Sequence, residues 1–576
     1  MHRRKTPELR TDDADMISDK PTNGTTSPSR TKSTSLISST SGQRVIVIVV
    51  GLVSLFFITK IFLPSDHSFS IGGGHQVQRT EQLIARNYLN TSTTPAPFNF
   101  CPIYGPGDPM ATKYGGHNLA RGRIHTGSGA RVQRVMHKAL SGLPVTISVL
   151  GGSVSACHGA GDNPISPKCY PARFFEWWNS VFPHPASELT NGAMRKTNSA
   201  YFSFCNMHHL PDQTDLVILE FASDDPNEPA WLDHFDLLIR SILQRPDQPA
   251  IVILGHFSPQ MHATYGYSDP LHTHTIVAQF YDIPILATKP VIFNEFINNP
   301  TGMKNMYWVD PVLANPAGHE LLADVLISYF EEMTCKGWDA SLGRGFEVPV
   351  IKTDAMGSSG AAGLFGGVGG RKGGENGPGA PGAAVPNAAA GAVGKADTGS
   401  GGYAALRIPP LRTSDRSPIS EHFREPRPFC VSANDLINPL PPSLFYGSGW
   451  HSNTPVGGRS ASPDQAGAQG YYWYSMLPTS KLRVPVKLHA GDVAIYYMVE
   501  PRSSSREDGA GIMCWVDDNV AGGVEISGVA DVGSSTPKMT IIDRGVDAGS
   551  HFVECMLLGE EGEASPMFKL LGIFVT

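Results

Sequence analysis

The sequence has no CxxC pair, no GK[ST] phosphate-binding signature and no strong excess of either charge. Each absence removes a class of function. Without paired CxxC motifs the usual zinc knuckle is excluded. The glycine-rich stretches lack both the Lys-Ser/Thr that would touch a nucleotide phosphate and a flanking strand, so none reads as a phosphate-binding loop. Asp and Glu total 52 against 45 Lys and Arg, a formal net charge of −7. A nucleic-acid partner ordinarily calls for a basic surface, so none is expected. His272-Thr273-His274, with His262 and Asp269, offers the one histidine-rich alternative. Its spacing matches no specific ligand set, and surface histidines are the plainer reading, so neither a metal nor another cofactor is expected.

Long apolar runs are also scarce, with one exception. Residues 45–63 read VIVIVVGLVSLFFITKIFL, interrupted by Lys60. About 20 residues at a helical rise cross a bilayer core. The run lies behind a polar, Ser/Thr-rich tail of 44 residues, unlike the short leading segment of a cleaved signal peptide. Basic residues in that tail favour a cytosolic N-terminus. The expectation is a single-pass type II membrane protein with its body in the lumen of the Golgi or another secretory-pathway membrane. A long cleaved leader and a buried helix are the alternatives. Asn90-Thr91-Ser92 is then a glycosylation acceptor, whereas Asn23-Gly24-Thr25 is cytosolic. An even count of eight cysteines fits disulfides in an oxidising compartment. Cys157 and Cys169 are spaced for a short loop and Cys514 and Cys555 for a link between late strands. Spacing cannot fix the pairing, and buried free thiols remain the alternative.

Composition divides the chain further. A disordered tail (1–44), the membrane helix (45–63) and a polar stem (64–98) precede an α/β domain at 99–345. A Gly/Ala/Pro-rich linker (354–402) cannot bury enough side-chain area to offset its ordering entropy. The remainder, 403–576, shows short β-type runs bounded by Gly, Pro, Asp and Ser, as expected of a sandwich or jelly roll. Pro485 cannot donate to a ladder and predicts an edge strand. The aromatic cluster at 471–474 contains Tyr472 and Trp473, candidates for stacking on sugar rings. Such residues are also commonly half core and half surface.

In the α/β domain, strands are predicted at 145–150, 216–221, 251–256 and 283–287. Helices are predicted at 172–180, 231–243, 271–281 and 318–333. The 231–243 segment places Phe235, Leu238, Ile239 and Ile242 on one face. Strands alternating with such helices imply a parallel sheet covered on both faces, with ligands beyond the strand C-terminal ends. Gly151-Gly152-Ser153 occupies one of those ends. A serine on such a turn is exposed as a nucleophile if a base stands within hydrogen-bond reach. A loop cap is the bland reading.

Four blocks follow in order: Gly151-Gly152-Ser153-Val154-Ser155, Asn191-Gly192-Ala193, Glu220-Phe221-Ala222-Ser223-Asp224-Asp225, and Asp310-Pro311-Val312-Leu313 leading to Gly318-His319. Together they resemble the SGNH (GDSL-like) hydrolase superfamily, nearest its fungal membrane-anchored members associated with cell-wall or capsular polysaccharide. The resemblance implies a three-layer α/β/α, flavodoxin-like fold and acyl-ester hydrolysis or transfer on O-acetylated carbohydrate. It implies Ser153 as nucleophile, Asp310 as the acid that orients the base, and Ser153, Gly192 and position 224 as the oxyanion hole.

Two blocks depart from the pattern. Asp224 stands where an asparagine is expected, and an ionised carboxylate cannot donate to an oxyanion. Asn227 is a weak spatial substitute, and helix capping by Asp224 and Asp225 is an alternative. Leu313 stands where the histidine base is expected, and leucine accepts no proton. His158 and His319 are candidate substitutes, with His256 near the same rim. Two function classes therefore compete: an impaired esterase relative that binds glycan or supports an assembly, and an active esterase or O-acyltransferase using Ser153 with a non-standard base. Nothing in the sequence fixes an oligomeric state.

Overall fold

The computed structural model describes residues 83–90, 96–343, 407–415, 423–435, 438–454, 470–489, 491–502 and 509–576. The tail, the apolar run, the linker and most of the stem lie outside these residues. No helix among the described residues is long and apolar enough to cross a membrane. Asn90 is exposed.

A six-stranded sheet organises the first part. Its strands are β1 (Arg123–His125), β2 (Thr146–Gly151), β3 (Glu188–Asn191), β4 (Leu216–Glu220), β5 (Ala250–Gly255) and β6 (Ile285–Ala287), in the spatial order β1-β6-β5-β4-β2-β3. β2 to β6 are parallel, and β1 pairs antiparallel with β6 at one edge. The parallel strands follow the flavodoxin-like doubly wound order, whose chain reverses direction across the sheet between β2 and β4. That switch point is where such folds place ligands.

Period-two alternation sends neighbouring strand residues to opposite faces. Ile147, Val149, Leu216, Ile218, Val252 and Leu254 pack with the helices at Ala130–Leu140, Tyr170–Val181 and Pro316–Ser341. Val217, Leu219, Ile251 and Ile253 pack against Ser199–Cys205, Leu232–Leu243 and Leu271–Tyr281. The predicted strands and helices of this part all form, within one to three residues at most ends; the last helix runs on to Ser341. Tyr88 and Phe98, assigned to the stem by composition, are buried in the first of these cores. Tyr88 donates its hydroxyl to the Val181 carbonyl at 2.6 Å, which ties the segment down.

The C-terminal part is all β. One sheet has the order β10-β16-β12-β13; a second runs β14-β11-β17-β9-β8, with β15 and β7 joined to β11 and β17. Here β7 is Phe429–Ser432, β8 His451–Asn453, β9 Tyr472–Ser475, β10 Lys481–Leu488, β11 Gly491–Pro501, β12 Gly511–Val516, β13 Val524–Ser527, β14 Val529–Ala530, β15 Thr536–Val546, β16 Gly549–Leu557 and β17 Phe568–Val575. β10, with Pro485, is an edge strand. Its burial alternates strictly, with Leu482, Val484, Val486 and Leu488 inward.

The two parts belong to one compact unit from Thr80 to Thr576. Cys430, Ala494, Tyr496, Leu571 and Phe574 pack into the core that also holds Phe204 and Leu219. A Cys205–Cys430 disulfide and a bidentate Arg240–Glu425 pair, at 2.5 and 2.7 Å, span the junction. The remaining bridges are Cys101–Cys335, Cys157–Cys169 and Cys514–Cys555.

Candidate functional site

β2 delivers Ser153 to the switch point, and β4 delivers Asp224 beside it. The fit is close: a Cβ on Gly152 would collide with the Asp224 carboxyl, so the turn requires glycine there. Ser153 is half-buried. Its Oγ accepts the backbone N–H of Lys196 at 2.9 Å, and its carbonyl accepts the His158 N–H at 3.1 Å. Among the described residues, Ser153 Oγ has no hydrogen bond to a histidine.

Gly192 donates its N–H to the Val149 carbonyl at 2.9 Å, in line with the β2–β3 ladder. The donor assigned to the oxyanion hole by resemblance is therefore engaged in the sheet. Gly192 is glycine for a packing reason as well, because a Cβ would run into the His209 carbonyl. Asn191 latches two loops, donating to the Ser155 and Pro164 carbonyls at 2.8 and 2.9 Å.

Burial pushes the Asp224 carboxyl up to about 7, and the neighbouring Asp225 charge adds to the rise. The Ser153 N–H acts in the opposite direction. Asp224 Oδ2 is buried with no hydrogen-bond partner among the described residues. Behind it, burial raises the Glu220 carboxyl well above its ordinary range, with the Asp224 charge the next cause. Glu220 Oε2 accepts from Ser155 Oγ at 3.1 Å, and Ser155 Oγ lies 2.8 Å from the Tyr170 hydroxyl. Three acids thus crowd the switch point where an oxyanion would need donors. Asp225 accepts the Ser199 N–H and pairs with His274, both at 2.8 Å. It serves the start of the 199–205 helix, not the helix after Trp231. Asn227 turns elsewhere, donating to the Ser268 carbonyl at 2.8 Å.

Asp310 is exposed, and its Oδ1 accepts the N–H groups of Val312 and Leu313 at 2.7 and 2.6 Å. Through Oδ1 the carboxylate closes its own turn, and among the described residues it makes no hydrogen bond to a histidine. Leu313 packs its side chain against the core. His256 Nε2 donates to the Val312 carbonyl at 2.9 Å and so holds the same turn. Burial lowers His256 to about 4. His319 is fully buried, and its Nδ1 accepts the Tyr170 N–H at 3.3 Å. Burial, then the nearby His256, lowers His319 to about 3. A neutral ring that accepts through Nδ1 carries its proton on Nε2. His319 accordingly braces the start of the 170–181 helix through Nδ1, while its Nε2 is buried with no hydrogen-bond partner among the described residues.

His158 differs from both. Its Nδ1 lies 2.6 Å from Asp162 Oδ1, and Arg195 Nη2 reaches the same oxygen at 3.1 Å. The His158 hydrogen bond, aided by Arg195, holds the Asp162 carboxyl below its ordinary value against a burial effect of opposite sign. Gly159, at φ +92°, seats this loop directly on the Ala314 carbonyl. Asp162, Arg195 and Lys196 were not singled out by the sequence reading. The available signal was the His158/Asp162 spacing of four between glycines, a weak one.

In the β part, Tyr472 is half-buried, while Trp473 is 2% exposed and lies in the core. Alternation along β9 puts neighbouring residues on opposite faces, so the predicted aromatic cluster is split. Among the described residues no group of three ligating side chains is arranged to hold an ion; His274 lies 2.8 Å from Asp225 and Asp269 pairs with Lys289 at 2.6 Å.

Neither a protein-family model nor a curated protein matches this sequence. Solved structures do. A two-domain esterase active on acetylated mannans, crystallised with mannopentaose, aligns with TM-score 0.50 at 14% identity, covering 79% of this chain and 97% of that one. A second crystal structure of a two-domain esterase active on acetylated mannans gives 0.49 at 15%, covering 79% and 98%. TesA gives 0.26 at 17%, covering 32% and 97%. Both two-domain structures are of esterases. At these identities the likeness is one of fold: an esterase-like α/β domain, as the four sequence blocks led one to expect, joined to β sheets.

Proposed function

We propose that this chain is a membrane-anchored, secretory-pathway relative of the SGNH carbohydrate esterases, of the fungal wall- or capsule-associated type, whose ester-hydrolysis relay is dismantled and which binds polysaccharide or supports its assembly. The observation that carries the reading is the Asp310 turn. One oxygen of the carboxylate that should orient a base accepts the amides of Val312 and Leu313, and leucine, not an imidazole, stands at 313. Loss of one member of such a relay costs several orders of magnitude in rate. The fold of an acetyl-mannan esterase supports the polysaccharide half of the reading. The test is hydrolysis of p-nitrophenyl acetate and of acetylated mannan by the full-length protein in detergent. The parent and Ser153→Ala should be equally slow; a Ser153-dependent rate would overturn the reading.

One observation favours a second reading. His158 is oriented by Asp162 at 2.6 Å as a triad base is oriented by its acid. On that reading Ser153 is active as an esterase or O-acyltransferase, and Asp162→Asn removes a Ser153-dependent rate by roughly two to four orders of magnitude. The same assay separates the two.

A further inference from the structure

A cavity lies in the β part, away from the Ser153 turn. Its volume is about 650 Å³, within the range of small-ligand sites. Trp450 and Trp473 form a buried floor. Trp450 donates its indole N–H to the Ser480 carbonyl at 3.2 Å, so that ring is fixed in place. Over this floor stand Tyr446, which is 80% exposed, and the Tyr474–His451 ring pair, with centroids 5.4 Å apart. Asp435 supplies a carboxylate at the wall.

We infer that this cavity is a carbohydrate-binding site, taking a pyranose unit of a polysaccharide with Tyr446 as its stacking platform. The chemistry of the lining makes the choice. Aromatic faces offer apolar contact, and their hydroxyl tips and Asp435 offer directional hydrogen bonds. A pyranose presents the same division, apolar C–H faces and a perimeter of hydroxyls.

The position supports a link to the other domain. Asp435 also lies 3.6 Å from His208, and its neighbour Asn434 exchanges hydrogen bonds with the Tyr201 hydroxyl at 2.9 and 3.2 Å. Tyr201 meets His209 Nε2 at 2.9 Å, and the His209 carbonyl packs on Gly192. Four residues past Gly192 is Lys196, whose N–H holds Ser153 Oγ. A chain of contacts therefore runs from the cavity wall to the 192–196 segment beside the switch point, although the cavity itself is lined by the β part alone.

The inference rests on the polysaccharide-handling reading and goes further by assigning the site. Full-length protein in detergent is titrated with mannopentaose, cellopentaose and xylopentaose, read by tryptophan fluorescence and calorimetry. At least one pentaose should shift the emission, since two tryptophans line the cavity. Tyr446→Ala should weaken its binding about tenfold or more, as removal of a central aromatic anchor does. Tyr446→Phe should keep most of it, and Ser153→Ala should bind like the parent. Pentaose binding unchanged in Tyr446→Ala overturns the site while leaving the polysaccharide reading in place. Failure of the parent to bind any of the three counts against both.

Discussion

At position 224, where the resemblance implies an amide, the chain carries a carboxyl held up to about 7 by burial and by Asp225, against an ordinary 3.8. Between those values the folded chain keeps a proton that the unfolded chain has released. Folding stability from this group therefore falls as pH rises from about 4 to about 7, and stays reduced above. Glu220 acts with the same sign. Asp224→Asn removes the ionisable group and keeps the shape. Thermal melts should show the variant more stable than the parent at pH 8, by roughly 1–3 kcal/mol after allowance for partial exposure, and nearly equal to it at pH 4. Contributions from His256 and His319 have the opposite sign but are common to both proteins. A gain of equal size at both pH values would contradict the account.

At the scale of elements, the last helix of the α/β part depends on Asn315. Its side chain accepts the N–H groups of Ala317 and Gly318 at 2.9 and 3.0 Å, and Pro316 follows in the first turn. Asn315→Ala should cost about 1 kcal/mol, the usual effect of losing such a cap, seen as a lowered midpoint in urea. The strands were legible in the sequence because they rest on local chemistry: Leu216–Glu220 is continuously apolar up to its last residue, and Pro485 marks an edge; the caps were not, since Asp225 caps the 199–205 helix and not the one after Trp231. The β1 edge strand and the Glu188–Asn191 strand were not, since Arg-Ile-His and Glu-Leu-Thr-Asn carry no decisive pattern. At the site, Ser153, Asp224 and Leu313 were legible by motif order. The use of the Gly192 N–H in the sheet, the Asp310 turn and the Asp162 partner of His158 were not. Each depends on where a backbone group points after distant segments meet, and spacing alone does not encode that.

At the scale of the molecule, the two parts share a core rather than a hinge. Phe574 stacks on Phe204 with centroids 5.2 Å apart, and Tyr496 lies 5.8 Å from Tyr201. Nearby, the Cys205–Cys430 bridge closes a separation of 225 residues. A cross-link over so long a loop removes chain entropy from the unfolded state, worth roughly 2–5 kcal/mol. Arg240 is buried at the same junction and satisfied by Glu425 and the Leu411 carbonyl. Shared burial of this kind makes the α/β and β parts unfold together. Calorimetry of the full chain should give one cooperative transition for both. The Cys205→Ser/Cys430→Ser variant should melt several degrees lower with that single transition kept, because the apolar contacts across the junction survive loss of the bridge. Two separate transitions in the parent would show that the junction is a docking contact between independently stable domains. A split appearing only in the variant would place the coupling in the disulfide, not in the packed aromatics.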